Sequence, residues 1–166
     1  ILNARGQSLE DHELLKNFIM RYVTPQKKKR IDIVKSDWEN VIDRSLGTYA
    51  KRFLKHYATH RYALVNRNRI YEEIKNNTKL SEVNTLLDDI LLKARYYEKL
   101  ISPITEGQDA NCSKVEYEVF NFFNIKRAEQ FRPIILSFIH HKNLGDISEE
   151  KYTKYLLFIY NFFMFN

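Results

Sequence analysis

Apolar residues recur in steps of three and four along most of this chain. The longest such series is Leu80, Val83, Leu86, Leu87, Ile90, Leu91, Ala94, Tyr97, Leu100 and Ile101. That period gathers the series on one side of an α-helix, so it predicts a long, central core helix over 80–101 that Ser102-Pro103 stops. Upstream, Leu14, Leu15, Phe18, Ile19 and Tyr22 predict a first helix, begun by Ser8 as cap and ended by Thr24-Pro25. Ile31, Val34, Trp38, Val41, Ile42 and Leu46 predict a second helix over 26–46, and Ala50, Phe53, Leu54 and Tyr57 a third over 48–64. A short, polar fourth helix is expected over 66–77. Beyond the loop-like stretch 105–111, helices are expected over 113–123 and 126–142, and a last one is capped by Ser148. Pro133 lies inside the seventh, so that helix either starts near Arg132 or kinks there. No strand alternation and no repeat of fixed period interrupts the series.

Composition narrows the fold. Four Gly and three Pro in 166 residues are too few to turn the corners of a sandwich or barrel. Eleven Phe and eleven Tyr supply core-forming bulk that a disordered chain lacks. The expectation is an all-α fold, a seven- or eight-helix bundle. A single cysteine, Cys112, excludes an internal disulfide framework and a CxxC zinc site, and points to a reducing, cytoplasmic setting. The apolar run 155–165 is about half the roughly 20 residues that a membrane helix needs. A chain that opens on Ile1 and closes on an uncapped aromatic helix also reads as a piece of a larger protein.

The net charge of +6 is unevenly placed. Residues 21–75 carry 14 Lys/Arg against 6 Asp/Glu, whereas the stretches on either side each carry one more acid than base. A local excess of this kind suits a polyanion-facing surface, or else a solvated helix face. Lys27, Lys28, Lys29 and Arg30 crowd the start of the second helix, where positive charge opposes the helix dipole and an anion would relieve it. Lys51, Arg52 and Lys55 fall on the side of the third helix away from its apolar stripe. Tyr22, Trp38, Tyr49, Tyr57, Tyr62 and Tyr71 lie among these cations. Rings between cations suit stacking on unpaired bases, though helical spacing also fits a core role, above all for Trp38 and Tyr57.

Catalytic patterns are missing. His56 and His60 have the i, i+4 spacing of metal ligands but flank an apolar stripe with no acid on their face. His140-His141, Asp88-Asp89 and Glu149-Glu150 are adjacent pairs, and adjacent side chains on a helix diverge. Cys112 has no basic neighbour to activate it. There is no phosphate loop, GxSxG or HExxH. The expectation is a chain with no catalytic site, metal or cofactor of its own.

Asn3-Ala4-Arg5-Gly6-Gln7-Ser8-Leu9, followed by Leu14-Leu15-Lys16-Asn17, resembles the N-x-R-G-x-x-L…DLIKN signature of the GmrSD-type family. That family comprises modification-dependent restriction endonucleases and related phage-defence proteins. Trp38 and Phe131-Arg132-Pro133 are similar in outline to later family positions, while His12-Glu13 departs from the Asp usual before the Leu pair. The resemblance implies that residues 1–8 close a ParB/sulfiredoxin-like nucleotide-handling domain and that 9–166 form a single helical domain. The nucleotide and nuclease motifs would belong to flanking parts of the same chain. On this expectation Asn3, Arg5, Gly6, Leu9, Lys16 and Asn17 mark the junction. The helical domain then connects the nucleotide and nuclease domains of a DNA-targeting defence protein and itself contacts DNA. A protein–protein interaction module without nucleic-acid binding is the alternative.

Overall fold

The computed structural model of the protein describes residues 9–23, 31–62 and 69–165. Of these, 81% are helical and none is in a strand, so the fold is all-α, with eight α-helices among the described residues. No described helix is long and apolar enough to cross a membrane. The chain divides into two compact units, one ending at Ala94 and the other beginning at Arg95.

The first unit contains α1 (Asp11–Tyr22), α2 (Ile31–Trp38), α3 (Ala50–Tyr62), α4 (Ile70–Asn76) and the first part of α5 (Val83–Ile101). In it α1 packs on α2, α3 and α4. Its core is Leu15, Phe18, Ile19, Val34, Trp38, Ile42, Phe53, Leu54, Tyr57 and Ile74, all buried. The start of α1 differs from expectation. Its cap is Glu10, whose N–H donates to Glu13 Oε2 at 3.0 Å, and Ser8 lies outside the described residues.

The second helix is also not one continuous α-helix. After Trp38 the chain widens into a π-helical turn, Glu39–Arg44, in which the Ser45 N–H reaches the Asn40 carbonyl at 3.1 Å. A 3-10 turn, Gly47–Tyr49, follows before α3. The reason lies in the apolar spacing. Val34, Trp38, Ile42, Leu46 and Ala50 are buried at strict four-residue intervals. In an α-helix such a stripe drifts by about 40° per step, because a turn takes 3.6 residues. A wider turn takes up that drift and keeps the stripe on the core. Ile31, counted into the same stripe by its spacing, is 37% exposed.

In α5 the expected series is buried from Val83 to Leu100. Leu80 is not part of it. It sits in a 3-10 turn, Leu80–Glu82, and is 58% exposed.

The second unit holds the rest of α5 with α6 (Lys114–Ile125), α7 (Arg132–Leu144) and α8 (Glu149–Phe165), and α8 packs on both α6 and α7. Ser113 caps α6 reciprocally. Its Oγ accepts the Glu116 N–H at 3.2 Å, and Glu116 Oε2 accepts the Ser113 N–H at 2.8 Å. The alternative at Pro133 is decided in favour of a start. A 3-10 turn, Glu129–Phe131, precedes α7, and Pro133 occupies its first turn, where a missing N–H costs nothing. Gly145, in the left-handed region at φ 81°, closes α7. Ser148 Oγ accepts the Lys151 N–H at 3.3 Å, as expected of the last cap.

Candidate nucleic-acid interface

On α1, the i, i+4 pair Asn17 and Arg21 borders Phe18 and Tyr22; on α4, Tyr71 and Lys75 have the same spacing. The packing of α1 on α4 turns these six side chains into one open cleft of about 220 Å³. The Arg21 guanidinium lies over the Tyr22 ring at 5.4 Å and the Lys75 ammonium over the Tyr71 ring at 5.7 Å. Phe18 joins the two aromatics, with ring centroids 5.2 Å from Tyr22 and 6.3 Å from Tyr71. Neither cation has a carboxylate at ion-pair distance among the described residues, and no carboxylate lines the cleft. The pairing of tyrosine with cation recurs in this unit. Arg52 lies over Tyr49 and Arg61 over Tyr62, each at 5.7 Å.

A second open cleft, of about 290 Å³, is lined by Leu9, His12, Glu13, Lys16, Asn17 and Asp43. Leu9, Lys16 and Asn17, the described residues of the stretch expected to mark a domain junction, all line it. Lys16 meets Asp43 of the π-helical turn at 2.7 Å, so the widened turn reaches α1 through a charge pair. Asn17 borders both clefts. Asn3, Arg5 and Gly6 lie outside the described residues, as do Lys27, Lys28, Lys29 and Arg30.

On α3, Lys51 and Arg52 are exposed and Lys55 is half-buried. Lys51 pairs with Glu10 at 3.2 Å. Of the six aromatics interleaved with the cations, Trp38 and Tyr57 are fully buried and belong to the core, while Tyr22, Tyr49, Tyr62 and Tyr71 keep part of their surface.

Two polar networks were not evident in the sequence. In the first unit, Asp89 Oδ2 accepts from the Tyr57 hydroxyl at 2.8 Å and from Arg61 at 2.6 Å, and its Oδ1 accepts from Lys93 at 2.8 Å. The Lys93 side chain is 1% exposed. Burial pushes the Asp89 carboxyl up, but the hydrogen bonds from Lys93 and Tyr57 and the two cations outweigh it and hold the group below its ordinary value. Burial and the adjacent carboxylate push the Tyr57 hydroxyl well above the tyrosine range.

In the second unit Glu116 is 3% exposed. It accepts from Lys99 at 2.6 Å and from the Tyr152 hydroxyl at 2.7 Å, with Lys142 at 3.7 Å. Nearby, burial and then the Glu116 charge push the Cys112 thiol up, the opposite of an activated nucleophile. Arg132 of the Phe-Arg-Pro segment is buried. It donates to the Tyr97 hydroxyl and to Asn124 Oδ1, both at 3.1 Å, and Asn124 Nδ2 in turn caps the Leu100 carbonyl of α5 at 2.8 Å.

His56 is buried on α3 and His60 is half-buried one turn on. Among the described residues no group of three His, Cys, Asp or Glu is placed to hold a metal ion.

No protein-family model, curated protein or solved structure matches this chain.

Proposed function

We propose that the chain is a helical connecting domain that contacts nucleic acid through its first unit, within a DNA-targeting defence protein of the GmrSD type. The observation that carries the reading is the repeated pairing of a tyrosine ring with a cation: Tyr22 with Arg21, Tyr49 with Arg52, Tyr62 with Arg61, and Tyr71 with Lys75. Rings offer a stacking face to any base, and Arg21 and Lys75 neutralise phosphates, whereas Arg61 is already held by Asp89; ring and cation together bind strands without reading sequence. The charge distribution supports it, since the basic excess falls in residues 21–75. The junction signature around Leu9, Lys16 and Asn17 supports the family. On this reading the chain's partners are the nucleotide-handling and nuclease parts of the same protein and DNA, and the chain itself carries no reaction.

The test is affinity for DNA, measured by fluorescence anisotropy across a salt series, for the wild-type chain and a variant with Lys27, Lys28, Lys29 and Arg30 all changed to Gln. Removing one cation that neutralises a phosphate flattens the dependence of log affinity on log salt by about one unit. The expected result is weaker binding with a slope shallower by about three to four. An unchanged slope removes this cluster from the interface, and absence of binding removes the reading.

One observation favours an interaction module instead. Along α8, Tyr155, Phe158, Phe162 and Phe165 form a second apolar stripe at helical spacing, beside the buried stripe of Tyr152, Leu156 and Ile159. Phe158 is 68% and Phe165 82% exposed. A contiguous apolar face of this kind marks protein docking sites.

A further inference from the structure

Resting on the nucleic-acid reading above, we infer that the cleft between α1 and α4 holds one unpaired nucleotide, its base against the Tyr22 or Tyr71 ring and its phosphate between Arg21 and Lys75. The cleft has the chemistry for each part of such a ligand and for little else. Tyr22 and Tyr71, each half-buried against the buried Phe18 ring at 5.2 and 6.3 Å, give separate, tilted π-faces at the cleft. Base–aromatic stacking on such a face tolerates any sequence, because every base presents a π-face. The charged groups lining the cleft are both positive, and among the described residues neither is neutralised by a carboxylate. A neutral aromatic ligand would leave both cations unused, and a simple anion would leave the rings unused. Asn17, at the rim shared with the neighbouring cleft, adds an amide that both donates and accepts, as the edge of a base requires.

Size decides between a held nucleotide and an engulfed cofactor. Sites that enclose a small molecule run to roughly 300–1,000 Å³. This cleft, at about 220 Å³ and open to one side, takes one face of a planar group while the rest stays outside. A duplex keeps its bases stacked on one another and cannot present such a face without flipping one out, at a cost of a few kcal/mol. The preferred ligand is therefore a single strand.

The experiment measures binding of the whole chain to a fluorescein-labelled ten-nucleotide deoxyadenosine strand, a ten-base-pair duplex and free AMP. The variants are Tyr71→Phe, Tyr71→Leu and Lys75→Gln. Lys75 is exposed, so its replacement leaves folding intact, and far-UV circular dichroism checks the tyrosine variants. The expected result is that the strand binds more tightly than the duplex. Tyr71→Phe then retains binding, Tyr71→Leu weakens it about tenfold, and Lys75→Gln flattens the salt slope by about one. Strand binding that is identical in wild type, Tyr71→Leu and Lys75→Gln overturns the cleft while leaving the wider reading intact. Binding of AMP alone, sensitive to the same variants, reassigns the cleft to a free nucleotide and overturns the strand. No binding of any probe overturns both readings.

Discussion

Lys99 and Glu116, seventeen residues apart on α5 and α6, meet at 2.6 Å where the Glu116 side chain is only 4% exposed. Burial pushes that carboxyl up. The Lys99 ammonium, the Ser113 N–H and the Tyr152 hydroxyl together outweigh burial and hold it below its ordinary value of 4.5. A carboxyl depressed in the folded state contributes stability that is present at neutral pH and lost as pH falls through the carboxylate range, below about 4.5. Glu116→Gln keeps the shape but leaves Lys99, itself 18% exposed, without its countercharge. The expected cost is about 2 to 3 kcal/mol at pH 7. The gap to wild type should narrow as pH drops toward 3. Urea denaturation of both proteins at pH 7, 5 and 3 measures it, and a pH-independent gap would sink the argument.

Asp89 gives a test of a different kind, because three donors share it. Asp89→Asn removes the charge that faces Tyr57, Arg61 and Lys93 at once, and the Lys93 ammonium stays buried. Lys93→Met removes a buried charge together with one of the three donors, and Arg61 and Tyr57 still serve Asp89. Breaking a buried pair by removing one partner costs about 3–5 kcal/mol because it strands the other charge, and less where further donors still serve the charge that stays. Asp89→Asn is therefore expected to destabilise by about 3 kcal/mol and Lys93→Met by less. Equal costs from thermal melts would contradict this assignment of roles.

Much of the core was legible from spacing alone. The buried stripes of α1, α5 and α6 sit where steps of three and four placed them, because a helix of fixed period converts spacing directly into a face. The π-helical turn was not legible in that way. A period of 3.6 assigns Val34, Trp38, Ile42 and Leu46 to one α-helix and passes over the local widening that keeps them aligned. The division between units was equally hidden, since it falls after Ala94 inside uninterrupted periodicity. The roles of Asp89 and Glu116 depend on partners 28 and 36 residues away, Arg61 and Tyr152, which no local pattern reveals. The cleft lies between these cases. The Tyr71–Lys75 and Asn17–Arg21 spacings could be read in the sequence, but their convergence required the packing of α1 on α4.

Trp38, the chain's one tryptophan, ends α2 fully buried, and its Nε1–H meets no acceptor among the described residues. Such a donor costs about 1–3 kcal/mol of desolvation without return. Trp38→Phe deletes the donor and part of the ring, so the two effects oppose each other. The expected loss is about 1 to 2 kcal/mol, against about 3 to 5 for Trp38→Ala, which opens a full cavity at the start of the π-helical turn. Chemical denaturation followed by far-UV circular dichroism reads both. A Phe variant as damaged as the Ala variant would mean that the indole N–H is satisfied after all.

The exposed stripe of α8 supports a last expectation, separable from the stability of the helix that carries it. Phe158 and Phe165 are 68% and 82% exposed, while the helix is held to its unit by Tyr152, Leu156 and Ile159 on the other stripe. The ring contacts that anchor the C-terminal end run through Phe163, which lies 5.8 Å from Phe122 and 5.6 Å from Phe131. Substitutions away from such contacts change stability by less than about 0.5 kcal/mol. Phe158→Ser and Phe165→Ser together should leave the melting curve nearly unchanged and lower the binding of a hydrophobic dye such as ANS. Phe163→Ser, on the anchored side of the same helix, should do the reverse. It opens the aromatic cluster of Phe122, Phe123 and Phe131 and should cost about 3 kcal/mol. If Phe158→Ser and Phe165→Ser destabilise as much as Phe163→Ser, the stripe is already covered by the chain itself, and the interaction-module reading loses the surface that favours it.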